Sequence, residues 1–392
     1  MGRFRYSRML VVLVCFLLVG VLGLNLSYAA ETKPSQATGL ETTAESAVLM
    51  DGNGTVLYEK DANRPLPPAS VTKVMTLLLG VEAVESGRIK LTDPVYTSET
   101  AWRQGGSQIW LEPGEAMTVK EMLTAIAVVS ANDAAAALME HVYGSIPVAV
   151  EAMNNRAKEL GLTHTHFANV NGLPTPEHYM SAYDTAIIAK EAIKHPLYME
   201  LVSIKEYWLR DGKNWLVNTN KLLWWYNGAD GLKTGWTEEA KYCFVGTAKR
   251  NNLRLIAVVF ATPEPRSHLR ESMKLLDWGY SHYSAFPVVE KGAVVDRMRV
   301  VKGAQREVQL VAADELNLLV TKGQNKNLSK NVVIYDPVYA PVTAGQKCGE
   351  LVVAKDGKEV GKVDLIAETA VDRAGFLQVM HNMLSNLFSL TH

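Results

Sequence analysis

The sequence predicts an α+β protein with two folded parts: a larger one in which helices pack on a sheet, and a small all-β part behind it. Three observations carry this. Between residues 46 and 286, apolar residues at helical spacing alternate with short runs of strand length. After Phe286 only short β-rich pieces remain, separated by Gly and Asp-Gly turns. Residues 371–390 then return to helical spacing, with Phe376, Val379, Met380, Met383, Leu384, Leu387 and Phe388 on one face. At 392 residues, 48% hydrophobic and 21% charged, the chain has material for two cores. Its net charge of −1 leaves no electrostatic basis for nucleic acid as a partner.

The elements follow in order. Arg3, Arg5 and Arg8 precede an almost unbroken apolar run over 9–24, and Ser27-Tyr28-Ala29-Ala30 offers small residues for cleavage. Residues 1–30 are therefore expected to be an export signal, the run being shorter than the ~20 residues a membrane span prefers. Residues 31–45 are polar and form a flexible leader. Apolar strands at 47–50 and 55–58 flank Asp51-Gly52-Asn53-Gly54, a strong hairpin signal. Pro65, Pro67 and Pro68 stiffen the approach to a helix that begins near Ser70 and carries Val74, Leu77, Leu78 and Val81 on one face.

Thr118 and Glu121 form a capping box opening a helix that stops near Ser130, and Asn132 or Asp133 is expected to cap the next one over 134–141. That leaves Ser130 and Asn132 in a turn that projects side chains. Lys233 stands at the start of a strand, followed by strands over 242–248 and 253–260 and a helix over 270–280. Residues 287–370 are expected to be the all-β domain, and 371–392 an amphipathic helix at a membrane surface. Cys243 and Cys348, the cysteines left after cleavage, fall in different domains and make no disulfide scaffold. No His-Glu-x-x-His or Cys-x-x-Cys occurs, so neither a metal nor a cofactor is expected.

Three short words carry chemistry: Ser70-Val71-Thr72-Lys73, Ser130-Ala131-Asn132 and Lys233-Thr234-Gly235. Ser70 and Lys73 are one helical turn apart, so their side chains meet. A serine hydroxyl becomes a nucleophile when a neighbouring base takes its proton. Lys73 can do that only as a neutral amine, which burial or a nearby cation such as Lys233 would favour. Ser130 can shuttle a proton, and Asn132 can hydrogen-bond an amide. Lys233 and Thr234 can hold a terminal carboxylate, while Gly235 lets substrate approach the backbone. The N–H groups of Ser70 and Trp236 would form an oxyanion hole. Singly each word is more often an ordinary cap or turn. Together they gain force: Ser-x-x-Lys and Lys-Thr-Gly each occur once, and the second copy of Ser-x-Asn, at Ser329, lies in the β-rich tail.

This order of words resembles the penicillin-binding proteins and class A β-lactamases. The chain is most similar to the low-molecular-weight D-alanyl-D-alanine carboxypeptidases. The similarity covers roughly residues 45–285 and includes 47–60, Gly106-Ser107, Leu111-Glu112-Pro113-Gly114, 167–174, 179–184, Asp230-Gly231 and Leu275-Leu276-Asp277-Trp278-Gly279. The resemblance implies a β-lactamase/transpeptidase-like catalytic domain, an antiparallel sheet with helices, over 46–286. It further implies an acyl-enzyme at Ser70, peptidoglycan pentapeptide ending in D-Ala-D-Ala as substrate, β-lactam antibiotics as mimics of it, and a site outside the cytoplasmic membrane.

Two departures stand out. The basic residue expected before the Leu-Leu-Asp-Trp-Gly helix has three contenders, Arg266, His268 and Arg270. Trp236 is bulky for its place after Lys-Thr-Gly. A β-lactamase would need a Glu-x-x-Leu-Asn word between the second and third words, and residues 167–176 hold none; Glu315-Leu316-Asn317 lies far past Lys233. A transpeptidase or endopeptidase would share the acylation chemistry and differ in the acceptor. A non-catalytic muropeptide sensor would have no need of Ser70, Lys73 and Ser130 together.

Overall fold

In a computed structural model that describes residues 39–323, 327–335 and 337–375, Asp51-Gly52-Asn53-Gly54 turns the chain as expected. The turn joins β1 (Ser46–Asp51) to β2 (Val56–Lys60). The Asp51 carboxylate accepts the N–H groups of Asn53 and Thr55 at 3.0 and 2.7 Å, which closes the bend. Three later strands complete a sheet: β3 (Ala229–Thr237), β4 (Lys241–Arg250) and β5 (Leu253–Thr262). The order is β2-β1-β5-β4-β3, every neighbour antiparallel, so β3 is an edge.

Both faces of this sheet are covered. Successive strand residues point to opposite sides. Val48, Met50, Ile256 and Val258 therefore join the helical core, while Ala47, Leu49, Leu255 and Ala257 meet Leu269, Leu275 and Leu276 of the helix Ser267–His282. This is why residues 253–260 read as a continuous apolar run. The helical side holds α1 (Lys73–Glu85), α2 (Val119–Val129), α3 (Asn132–Tyr143), α4 (Ile146–Glu159), α5 (Ala182–Ala192) and α6 (Pro196–Ser203). The last three do not figure in the sequence reading.

α1 differs from the one-faced helix expected. Every residue from Lys73 to Val81 is buried, because α1 is packed on all sides, so apart from Lys73 and Thr76 this stretch carries no polar face. The capping box at Thr118 is present in both directions. α2 ends at Ser130 in the left-handed region (φ 64°), and Ala131, not Asn132 or Asp133, is the N-cap of α3. The Asp133 carboxylate accepts the Ala134 N–H at 2.9 Å and also reaches across to the N–H groups of Ile109 and Leu111, each at 3.1 Å.

From Tyr283–Val289 to residue 375 the described residues form only strands and turns. The expected pieces become the strands Val294–Val301, Glu307–Ala312, Leu328–Ile334 and Lys347–Lys355, joined by Leu316–Thr321 and Lys358–Ala367, around a separate core of Val300, Leu310, Val353 and Leu365. Val371 and Arg373 bridge to Val342 and Gly303, so these residues close the β domain and do not begin a helix. The rest of the expected helix over 371–392, residues 376–392, lies outside the described residues, as does the expected signal over 1–30. Among the described residues no helix is long and apolar enough to cross a membrane. Cys243 and Cys348 are free and buried.

Candidate active site

Ser70 lies on a 3-10 turn, Ala69–Thr72, and the α-helix proper starts at Lys73. The turn is held from below. Thr72 Oγ1 donates to the Ala69 carbonyl at 2.8 Å and lies 2.8 Å from His178 Nε2. His178 Nδ1 accepts the Ala168 N–H at 2.9 Å, so the ring proton sits on Nε2 and is donated to Thr72. Burial pulls His178 down to about 4, which keeps it neutral in this role. Gly172 packs against the same turn: a Cβ there would stand 1.8 Å from the Ala69 carbonyl oxygen.

Lys73 is fully buried at 0% exposure. Its Nζ donates to Ser70 Oγ at 2.9 Å and to the Asn171 carbonyl at 2.7 Å. Burial first, and then the charge of Lys233, hold its amine well below the ordinary lysine range, with Asp133 opposing. Lys233 is buried too, and desolvation brings it down to about 7. It lies mid-strand in β3, not at the strand's start, and its Nζ donates to the Thr234 carbonyl at 2.9 Å. The Thr234 hydroxyl donates to Thr219 Oγ1 at 2.9 Å.

Ser130 and Asn132 do not project into solvent as expected; they are 4% and 3% exposed. The left-handed end of α2 and the immediate start of α3 fold them inward. Asn132 Nδ2 donates to the Gly105 carbonyl at 2.6 Å, and its backbone N–H donates to the Ser107 carbonyl at 2.7 Å. Among the described residues, Ser130 Oγ and Asn132 Oδ1 are buried with no hydrogen-bond partner. An orphaned buried polar atom costs about 1–3 kcal/mol, so each of these two calls for a partner, an ordered water or a ligand.

Gly235 has a packing reason beside the one the sequence suggests. A Cβ there would meet the turn that carries Ser70, at 2.8 Å from Pro68 O, 3.0 Å from Val71 N and 3.1 Å from Ser70 N. The glycine lets β3 lie directly on the serine turn. Because β3 is an edge, alternate N–H groups of it fall outside the ladder, and that of Trp236 is the candidate partner for the Ser70 N–H. The Trp236 side chain is 55% exposed, 6.1 Å from the Tyr242 ring, which stacks at 5.5 Å on His268. Of the three basic contenders, His268 is buried and pulled down to about 4, chiefly by desolvation, and Arg270 pairs with Glu264 at 3.0 Å. Arg266 stands over the Trp225 ring at 5.9 Å.

The structure thus brings Ser70, Lys73, Lys233, Thr234, Gly235 and Trp236 to one place, with Ser130 and Asn132 folded inward at the junction of α2 and α3. A model of the D-alanyl-D-alanine carboxypeptidase family matches residues 30–264. The chain belongs to that family. Residues 283–373 match the C-terminal domain of penicillin-binding protein 5. The chain is 42% identical to D-alanyl-D-alanine carboxypeptidase DacF of Bacillus subtilis, over 95% of this chain and 98% of that one. Penicillin-binding protein 5 of Haemophilus influenzae superposes with a TM-score of 0.68 at 34% identity, covering 86% of this chain and 99% of that one. Penicillin-binding protein D2 of Listeria monocytogenes, solved with ampicillin bound, gives 0.57 at 30% identity over 62% and 99%.

Four members of the site's framework escape sequence reasoning. Asn171 lies inside the similar stretch 167–174 but acts through its carbonyl, which no residue type announces. His178 falls between two similar stretches, and its contact with Thr72 spans 106 positions. Asp133 has the look of a helix cap, and Thr219 precedes β3 with no motif around it. Elsewhere, Glu82, Glu191 and His195 have the composition of a metal cluster, but the Arg156 guanidinium already pairs with Glu82 at 2.7 Å and Glu191 at 3.1 Å.

Proposed function

We propose that this enzyme is a serine D-Ala-D-Ala carboxypeptidase that removes the terminal D-alanine of peptidoglycan stem peptides through an acyl-enzyme at Ser70. One observation carries it: a wholly buried lysine amine, lowered by burial and by a second lysine, 2.9 Å from a serine hydroxyl. As a neutral amine, Lys73 keeps one N–H on the Asn171 carbonyl and takes the Ser70 proton. Oγ then attacks the carbonyl carbon of the penultimate D-alanine. The N–H groups of Ser70 and Trp236 stabilise the oxyanion. The C–N bond breaks as the proton passes from Lys73 through Ser130 to the departing amine, and water later hydrolyses the ester. Lys233 and Thr234 hold the terminal carboxylate, and Asn132 Oδ1 accepts from a substrate amide.

β-Lactams acylate the same hydroxyl; the Listeria relative with ampicillin bound supports this. No Glu-x-x-Leu-Asn word supplies a deacylating base, and Glu315 lies in the β domain beside Lys249 at 3.7 Å, which disfavours a β-lactamase. The Arg-rich start and apolar run support export, with residues 1–30 removed, 46–286 catalytic and 287–370 a β platform. The amphipathic C-terminus then rests on the outer surface of the cytoplasmic membrane.

Fluorescent penicillin tests the nucleophile. Covalent labelling of the unaltered protein, abolished in Ser70→Ala, is expected. Persistent labelling of that variant contradicts the assignment.

A further inference from the structure

Seven of the eight tryptophans have exposed side chains, so they are not core residues, and two of them line a cavity beside the catalytic groups. The cavity, about 500 Å³, is formed by Trp102, Arg103, Gln104, Gln108, Trp110 and Glu112 together with Leu111. That volume is in the range of small-ligand pockets, about 300–1,000 Å³. Its wall is continuous with the active site. Gln104 Oε1 accepts from Asn171 Nδ2 at 2.7 Å, and the Asn171 carbonyl is the one that holds Lys73. The next residue, Gly105, holds Asn132 through its carbonyl.

Trp110 is the informative member. Its indole is 78% exposed and its backbone is left-handed at φ 59°, a conformation that bulky residues rarely adopt. The surroundings hold it there. Asp133 takes the N–H groups on either side, those of Ile109 and Leu111. Arg210, at the tip of a hairpin whose strands carry the stacked Trp208 and Trp215, donates to the carbonyls of Ile109 at 2.9 Å and Trp110 at 3.2 Å. The same guanidinium pairs with Glu115 at 2.8 Å. A buried carboxylate and an arginine therefore fix a strained segment that presents an indole to water. That is preorganisation of a binding face.

The lining says what binds. Indole faces stack on the apolar C–H face of a sugar ring. The Gln104 amide is spent inside the protein, on Asn171 Nδ2 and the Thr100 carbonyl, and Gln108 Nε2 donates to the Gln104 carbonyl, so of these two amides it is Gln108 Oε1 that can accept from a sugar hydroxyl or acetamide N–H. The one cation of the lining, Arg103, already pairs with Glu99 at 3.2 Å, and Glu112 adds a negative charge. The pocket therefore favours a neutral polar ligand over the carboxylates of the stem peptide. We infer that this pocket is a glycan subsite, taking an N-acetylated sugar of the same peptidoglycan strand whose peptide enters the catalytic groups. This rests on the carboxypeptidase reading above.

The test compares D-alanine release from a free pentapeptide and from the same pentapeptide carried on its N-acetylated disaccharide, in the full chain, in Trp110→Ala and in Trp102→Ala. The expected result is a kcat/KM ratio favouring the disaccharide substrate by about tenfold, the scale of an aromatic stack with its buried face, falling towards one in both variants. A ratio near one in the unaltered protein, or one unmoved by the substitutions, overturns the subsite. Loss of sedimentation with phosphatidylglycerol vesicles in Trp110→Ala, with the ratio unmoved, would make the pocket a membrane contact instead. If the carboxypeptidase reading itself failed, neither substrate would release D-alanine at all.

Discussion

Replacing Gly235 by alanine tests how the fold builds the site. The new Cβ would sit 2.8, 3.0 and 3.1 Å from backbone atoms of residues 68–71, and ordinary contact begins at 3.4 Å. None of those atoms belongs to a side chain that can rotate away, so strand and turn must part by about 0.6 Å. The two proposed oxyanion donors, on Ser70 and Trp236, lie on the two pieces being separated. Donors act within about 2.7–3.1 Å, so this displacement removes most of one donor's effect, a loss of about 10²–10³-fold in acylation. The overpacking itself costs about 1–3 kcal/mol, a drop of a few degrees in melting temperature. The second-order rate of acylation by fluorescent penicillin, measured beside a thermal melt, separates the two effects. A folded variant acylated within about threefold of the unaltered rate would refute the reasoning.

Three further expectations follow from the buried ionisable groups and their contacts. Acylation should rise with pH along a limb that lies well below the ordinary lysine value of ~10.4, because the base form of Lys73 is favoured. In Lys233→Gln that limb should move to higher pH, since the cation that lowers Lys73 is gone; a limb that stays or falls contradicts the coupling. His178 and His268 are each pulled down to about 4 from 6.5, so their neutral forms stabilise the fold above pH 6.5 and that stability is lost as pH falls towards 4. The loss is about 3 kcal/mol for each by about pH 4, and urea midpoints that do not change between about pH 7 and 4.5 would contradict it. Thr72→Val leaves His178 Nε2 and the Ala69 carbonyl without their shared partner, at a cost of about 1–3 kcal/mol, and should slow acylation by loosening the turn. A variant with lowered melting temperature but full acylation rate would leave His178 and Thr72 a purely structural role.

Much of this site is legible in the sequence because its reactive atoms belong to side chains whose spacing reflects local geometry. Ser70 and Lys73 meet across one turn, and Thr118 and Glu121 announce α2 by mutual hydrogen bonds. What escapes is whatever depends on backbone groups or distant contacts. The carbonyl of Asn171 and the ring of His178 reach the site from about a hundred positions away. Gly235 also marks a close approach of the protein's own serine turn, which the sequence does not show. The inward folding of Ser130 and Asn132 follows from a left-handed residue at the end of α2, where a serine gives none of the warning a glycine would. α1 shows the same limit in packing: its sequence suggests an apolar stripe, but a helix enclosed on all sides has no polar face to reveal it.

The central claim is that Ser70 cleaves a D-Ala-D-Ala bond. D-Alanine released from a peptide ending in Lys-D-Ala-D-Ala measures it most directly. One equivalent of D-alanine per peptide from the unaltered protein and none from Ser70→Ala is the expected result. Release that persists in Ser70→Ala, or none from an unaltered protein that penicillin still acylates, would contradict the account.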